Sequence, residues 1–203
     1  MHIPACDTQK TNILTFDDAM ARFNKNADYD RNMWIYIPDF YSEYRYILGT
    51  VGKKPLITIG INPSTAEPDS LDNTLKSVNR IALGNGFDSF IMFNVYAQRA
   101  TNPRHVDKMF NERLHHEIMC AFRWVLEHSG VEPAIWAAWG TIIEKRSYLK
   151  TCLKDMVNES NSFGAKWYMT GRPSIKGHPH HPLYLKKDSK IKAFDIAEYL
   201  KAL

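Results

Sequence analysis

Cysteine is scarce in this chain of 203 residues, which has three widely spaced copies, Cys6, Cys120 and Cys152, and no C-x-x-C pair. Such a set neither builds a disulfide framework nor supplies the ligands of a structural zinc ion or a four-cysteine iron–sulfur cluster. We therefore expect reduced thiols in a cytoplasmic protein and no iron–sulfur cluster.

The sequence also lacks the short motifs of common nucleotide and metal sites. It has no G-x-G-x-x-G after a strand, no G-x-x-x-x-G-K-[ST] and no H-E-x-x-H, so the usual phosphate cradles and zincin sites are absent. Other side chains with metal-ligand chemistry are His178, His180 and His181, with His115, His116, Asp69 and Asp72. Because H-E-x-x-H is missing and prolines stiffen "HPHHP", we predict no metal ion, and because the nucleotide motifs are missing as well, we predict no other cofactor.

Long apolar runs are missing as well, and the first ten residues, "MHIPACDTQK", do not have a signal-peptide pattern. A membrane partner is therefore not expected. The net charge of +4 permits an anionic partner without requiring one. Basic residues gather near the end of the chain, at Lys166, Arg172, Lys176, Lys186, Lys187, Lys190 and Lys192.

The order of apolar segments predicts a single α/β domain over residues 1–203. An N-terminal helix (15–27) and a short hairpin (33–40 and 44–50) occupy residues 11–50, and the core spans 51–203. In the core, predicted buried strands at 55–61, 89–97, 133–140 and 165–171 alternate with predicted helices at 71–86, 105–130, 142–159 and 190–203. Such alternation predicts a mostly parallel four-stranded central sheet between helices, a three-layer α/β/α sandwich.

Polar residues lie at or just beyond the end of each of the four predicted strands. The clusters are Asn62 to Thr65, then Asn94, Tyr96, Gln98 and Arg99, then Trp139 to Thr141, and finally the loop 171–185. Each has an ordinary structural explanation, such as a turn or a capped backbone group. However, the carboxyl ends of parallel strands meet at one edge of a sheet, so we predict that the clusters line one cleft.

Four motifs at these positions resemble a family of uncharacterised bacterial and phage domains. They are N-P-S-T-A (Asn62–Ala66), D-N-T (Asp72–Thr74), R-A-T-x-P (Arg99–Pro103) and H-P-L-Y (His181–Tyr184), and the resemblance extends from about residue 44 to about residue 186.

That pattern is in turn similar to the uracil-DNA glycosylase superfamily. Gly60-Ile61-Asn62-Pro63 resembles its G-x-[DN]-P motif, and Asn94 in "MFNVYA" resembles its base-reading asparagine. Trp139-Gly140 resembles its W-G strand end, and "HPHHPLYL" its His-Pro loop. The resemblance implies an α/β/α sandwich with a four-stranded sheet, a monomer, and a metal-independent, monofunctional DNA glycosylase that flips a base and leaves an abasic site.

The resemblance also implies residue roles. Asn62 would position the attacking water, His181 or His178 would stabilise the departing base, and Asn94 would read the base edge. Substrate contacts are further expected from Ser64, Tyr96 (a stacking wall), Arg99, Trp139 and His178. DNA contacts are expected from Arg172, Ser174 and Lys176, and from Leu183 or Leu185 as an apolar wedge.

The sequence leaves alternatives for the residue that activates the water, for the substrate and for the type of function. Asp69 or Asp72 could activate the water instead of Asn62, and Asp72 could equally cap a helix. Ser64 occupies the position at which uracil enzymes use a tyrosine to exclude 5-substituted bases. A 5-substituted pyrimidine, hydroxymethylated or glucosylated, is therefore the expected substrate, in phage defence or phage base metabolism. The competing hypotheses are a non-catalytic DNA- or nucleotide-binding module and a hydrolase or transferase of free nucleotides.

Overall fold

Seven strands form one mixed sheet at the centre of the computed structural model, which describes residues 7–22 and 24–203. The strands are β1 (Trp34–Ile37), β2 (Ile47–Thr50), β3 (Pro55–Gly60), β4 (Ser89–Asn94), β5 (Ala134–Ala137), β6 (Lys166–Thr170) and β7 (Ile191–Ala193). Their spatial order is β1-β2-β4-β3-β5-β6-β7.

The four predicted core strands, β3 to β6, run parallel to one another in the centre of the sheet. They form there because their sequences are short, continuous apolar runs, the pattern of strands that are buried on both faces. All six residues of β4 are buried, and so are five of the six in β3.

The predicted α/β class is confirmed, but the prediction of a four-stranded, mostly parallel sheet is wrong, because the sheet has seven strands and is mixed. The hairpin β1–β2 does not stand apart, because β2 pairs antiparallel with β4 through Leu48 and Met92. At the other edge β7 pairs antiparallel with β6. Three strands joined by antiparallel pairs therefore flank the parallel centre, and two of them, β2 and β7, run opposite to it.

In the described parts of the chain, residues 7–22 and 24–203, five α-helices cover the two faces of the sheet. They are α1 (Phe16–Ala21), α2 (Asn73–Gly84), α3 (Glu112–His128), α4 (Ser147–Asn161) and α5 (Ile196–Ala202). Apolar residues of α2 pack with Leu56, Phe90 and Met92 on one face. The other four helices pack with alternate strand residues, such as Ile57 and Phe93, on the opposite face. Four short 3-10 helices lie at Thr8–Lys10, Pro103–His105, Gly140–Lys145 and Pro182–Tyr184.

Several helices differ from their predicted bounds because a side chain caps them elsewhere. The predicted helix 190–203 is instead β7 followed by α5, which begins after the Asp195 cap. Likewise α3 begins at Glu112, since Asn111 accepts a hydrogen bond from Leu114 N. The first helix, predicted to reach residue 27, ends at Ala21, and Asn24 forms a turn instead.

Two residues covered by the sequence predictions, Cys6 and Phe23, lie outside the described residues. Cys120 and Cys152 are both free thiols. Within the described parts of the chain, no helix has the length and apolar character that a membrane crossing requires.

Candidate functional site

A cavity of about 680 Å³ opens at the carboxyl ends of the parallel strands. Its wall comes from residues 60–65 after β3, residues 72–75 at the start of α2, residues 140–142 after β5 and parts of the loop 174–184. Four of its buried lining residues, Arg45, Gly60, Met92 and Asn94, are here called the floor. The strand pairing explains this arrangement, because Gly60 and Asn94 are register partners at the ends of β3 and β4.

Asn62 lines the cavity with a fixed amide group. Its Nδ2 donates hydrogen bonds to the carbonyl oxygens of Ala100 (2.6 Å) and Pro63 (3.0 Å). Both partners are acceptors only, so the amide cannot be flipped, and Oδ1 is the atom left to accept a hydrogen bond in the cavity. The side chain is thus oriented to hold a small donor such as water.

Asn94 is fully buried in the floor, and neither Nδ2 nor Oδ1 of its amide has a protein partner. Buried polar groups are nearly always hydrogen-bonded, so an orphaned amide that lines a cavity indicates a ligand that pairs with it. An amide offers both donor and acceptor, which matches the edge of a heterocyclic base.

His181 lines the same cavity and begins the 3-10 helix Pro182–Tyr184. Its Nδ1 accepts a hydrogen bond from Leu183 N at 3.3 Å. Burial lowers the pKa of the imidazole below its ordinary value, and the negative charge of Asp72 opposes this only in part. His181 is therefore neutral at physiological pH, and its proton sits on Nε2, which can donate to a ligand.

The two acids considered from the sequence lie in different places. Asp72 lines the cavity, and its Oδ1 caps α2 by accepting from Leu75 N at 2.9 Å. Asp69 is exposed, lies outside the cavity lining and accepts a hydrogen bond from Trp34 Nε1 at 3.0 Å. Only Asp72 is therefore placed to act on a ligand in this cavity.

Residues 45–183 match the family described as "Protein of unknown function (DUF1643)". The chain belongs to this family. The match covers most of the chain. Its bounds are close to residues 44 and 186, between which the sequence analysis found the resemblance to uncharacterised domains. Comparison with curated proteins and with solved structures gave no match.

Two predicted substrate residues of this DUF1643 domain, Trp139 and His178, do not line the cavity. The indole Nε1 of Trp139 donates to Tyr199 Oη at 2.9 Å, and that hydroxyl contacts His178 Nδ1 at 2.8 Å. The other ring nitrogen of His178 contacts Glu144 Oε1 at 3.2 Å. With both nitrogens engaged, His178 holds the loop 174–184 against α5, while His181 reaches the cavity.

Tyr96 and Arg99 also lie away from the cavity lining. Tyr96 is fully buried, and its hydroxyl donates to Asp107 Oδ2 at 2.9 Å. Arg99 donates from Nη1 to the carbonyl oxygen of Ser64 and from Nη2 to Tyr36 Oη at 2.8 Å. Arg99 thus supports the 64–66 loop of the cavity wall from behind.

The predicted DNA-contact residues are divided between the rim and the outer surface. Ser174 and the partly exposed Leu183 line the cavity, whereas Leu185 packs under α2. Arg172 is exposed near the rim, and the Lys176 ammonium pairs with Glu144 at 2.5 Å. Leu183 is therefore better placed than Leu185 to act as a wedge.

Arg45 is a floor residue that the sequence prediction missed. It is 1% exposed, and its Nη1 donates to Ala66 O at 3.0 Å. The signal was present in "YRYIL", where a charge interrupts an otherwise aromatic and apolar segment that leads into β2. Ile175, fully exposed on the 174–177 turn beside the cavity rim, was missed as well.

No group of three or more His, Cys, Asp or Glu side chains within residues 7–22 and 24–203 is arranged to hold a metal ion. The three loop histidines illustrate why. His178 turns inward to Tyr199 and Glu144, His180 is exposed, and only His181 combines burial with a place in the cavity wall.

Proposed function

We propose that this protein is a DNA glycosylase that hydrolyses the N-glycosidic bond of a flipped pyrimidine. The observation that carries the proposal is the convergence of three groups in one cavity. They are the fixed Oδ1 of Asn62, the orphaned amide of Asn94 and the neutral imidazole of His181. The similarity of the motifs to uracil-DNA glycosylases supports the same assignment.

In this mechanism a water molecule donates a hydrogen bond to Asn62 Oδ1 and attacks the anomeric carbon of the sugar. An amide is too weak a base to accept the proton, so Asn62 only positions the water while the bond to the base breaks. The proton that the water loses after it attacks passes through solvent to the departing base anion, so that the products are the neutral base and the sugar hemiacetal of the abasic site. Asp72, which lines the same cavity, is the carboxylate available to stabilise the positive charge that develops on the sugar.

The departing base takes the electron pair of the glycosidic bond and becomes negatively charged. His181 Nε2–H donates a hydrogen bond to the base oxygen that gains this charge. A neutral histidine suits this role because its Nε2–H is already a hydrogen-bond donor, so the imidazole need not first be protonated. Gly140 lies next to His181 and has a φ of +61°, a backbone conformation that favours glycine.

Base identity is read at the floor. The Asn94 amide pairs with the polar edge of the ring, which resolves its missing hydrogen bonds. The cavity is in the volume range of sites for drug-sized ligands, larger than an unmodified pyrimidine requires. The small side chain of Ser64 lines it, so a 5-substituted pyrimidine is the proposed substrate.

The rim supplies the features that DNA binding requires. Three apolar side chains, Ile175, Leu183 and Tyr184, are exposed on the two loops beside the opening. One of them fills the gap that the flipped base leaves, and Leu183, which also lines the cavity, is the best placed. Arg172 and Ser174 then contact the phosphates.

Abasic-site formation tests the proposal. DNA that contains uracil, a thymine mismatch, hydroxymethylcytosine or glucosylated hydroxymethylcytosine is incubated with the protein in EDTA and then treated with alkali. We expect strand breaks on at least one 5-substituted substrate, and their loss in Asn62→Ala and His181→Gln. The matched control is His115→Gln, because His115 lies on α3 and pairs with Asp155, away from the cavity.

The outcomes separate the competing functions. DNA binding without strand breaks on any substrate would contradict catalysis and leave a binding module. Absence of both binding and breaks would favour a hydrolase or transferase of free nucleotides, whose activity would also depend little on salt.

A further inference from the structure

Two buried arginines lie beside the cavity without a carboxylate partner. Arg45 is 1% exposed and Arg99 is 2% exposed. They donate to carbonyl oxygens of the 64–66 loop, and Arg99 also donates to the Tyr36 hydroxyl. Among the ion pairs formed by residues 7–22 and 24–203, none includes either guanidinium.

Only Arg45 of this pair lines the cavity. One polar atom of its guanidinium, Nε, is buried without a hydrogen-bond partner. Asn94, in the same floor, has two such atoms. Among the described residues that line the cavity, the buried side-chain atoms without a hydrogen-bond partner therefore belong to these two floor residues.

The charges around Arg45 do not neutralise it. Arg99 repels it, whereas Asp72 and the hydroxyls of Tyr36 and Tyr41 favour its charged form. Asp72 is not within ion-pair distance, and one of its oxygens already caps α2. Burial and Arg99 lower the pKa of Arg45 to about 9, so the guanidinium still carries its charge at neutral pH.

An uncompensated buried charge is strongly unfavourable, and proteins normally pair it or use it to bind a ligand. We propose that Arg45 binds an anionic group of the ligand at the floor of the cavity. This inference rests on the proposed function, from which it takes the pyrimidine ring as the ligand. It adds the substrate class, which is a pyrimidine that bears a negative charge. The charge belongs either to an acidic ring substituent or to a nucleotide phosphate.

Binding of two compound pairs distinguishes these sources. In calorimetry, uracil is compared with uracil-5-carboxylate, and uridine with uridine 5′-monophosphate. We expect the anionic member of one pair to bind about 10- to 100-fold more tightly than its neutral counterpart, as hydrogen bonds to charged groups allow. The pair that shows the preference identifies the source of the charge.

Variants assign the preference to Arg45. Arg45→Gln should reduce the ratio of the Kd of the neutral compound to the Kd of the anionic compound to about 1. Arg45→Lys should retain a smaller ratio than the wild type, because the lysine ammonium keeps the charge but lacks the planar guanidinium. The control is Lys154→Gln, which removes the same charge from an exposed position on α4 and should leave the preference intact.

The inference is overturned if the wild-type protein prefers neither anionic compound, or if Arg45→Gln binds as selectively as the wild type. The first criterion needs only wild-type protein and therefore holds even if the glutamine variant does not fold. The calorimetry measures the binding of small molecules and does not depend on catalysis. If the protein prefers the anionic compound but forms no abasic sites, the glycosylase proposal is contradicted while the anion site at Arg45 is supported.

Discussion

Replacing Asn94 with leucine should stabilise the free protein while it abolishes base recognition. Both polar atoms of the Asn94 amide are buried without a protein partner. A buried unsatisfied group is unfavourable by about 1–3 kcal/mol, and an apolar side chain of similar size removes that term. We therefore expect Asn94→Leu to raise the free energy of unfolding by about 1–3 kcal/mol, or roughly 2–4 °C in Tm for each kcal/mol in a chain of this size.

Asn62 provides the matched comparison, since it is also an asparagine that lines the cavity but its amide is paired. Asn62→Ala deletes two hydrogen bonds to carbonyl oxygens and should lower the free energy of unfolding by about 1–3 kcal/mol. Urea unfolding followed by tryptophan fluorescence measures both variants. If Asn94→Leu is destabilised as much as Asn62→Ala, then Asn94 is satisfied in the free protein and the argument for a base-reading amide fails.

Four further predictions concern His181, Gly60, Tyr199 and Leu183. Because burial lowers the folded-state pKa of His181, stability should fall as pH drops below about 6.5, where the unfolded chain takes up the proton; equal pH slopes in urea titrations of the wild type and His181→Gln would contradict this. A Cβ at Gly60 would lie 2.6 Å from a flexible Met92 methyl group and 3.2 Å from the Asn94 amide oxygen, so Gly60→Ala should fold yet bind a pyrimidine about 10-fold more weakly by calorimetry. Tyr199→Phe removes the partner of two buried ring nitrogens and should lower the unfolding free energy by about 1–3 kcal/mol; an unchanged urea midpoint would refute that role. Leu183→Ala should weaken binding to duplex DNA more than to single-stranded DNA in gel-shift titrations, and an equal effect on both would exclude a wedge.

Sequence patterns could predict the centre of the sheet but not its edges. Continuous apolar runs such as "SFIMFN" indicate strands that are buried on both faces, whatever the rest of the chain does. The partners of β2 and β7, by contrast, depend on contacts with β4 and β6 that lie far away in sequence. Short strands that flank the centre carry no pattern that specifies such partners, which is why the predicted sheet had too few strands.

The same limit applies to the candidate site. Asn94 could be predicted to face the cleft because it lies near the end of a predicted buried strand, and in the structure it is the last residue of β4 and the register partner of Gly60. Beyond Asn94 the chain leaves the strand, so alternation no longer predicts direction, and Tyr96 turns to Asp107 on the other side. Arg45 was missed because its place in the floor depends on the pairing of β2 with β4.

The completeness of hydrogen bonding separates structural polar residues from candidate functional ones in this protein. Asp107 is nearly as buried as Asn94, yet its carboxylate accepts hydrogen bonds from Thr8, Tyr96 and Gln98. Such a satisfied network holds loops together and requires nothing further. The floor residues Asn94 and Arg45 retain unpaired atoms in the free protein, an arrangement that a ligand with complementary groups would complete. Removing a partner from the Asp107 network should therefore cost stability, whereas apolar replacement of Asn94 should cost recognition alone.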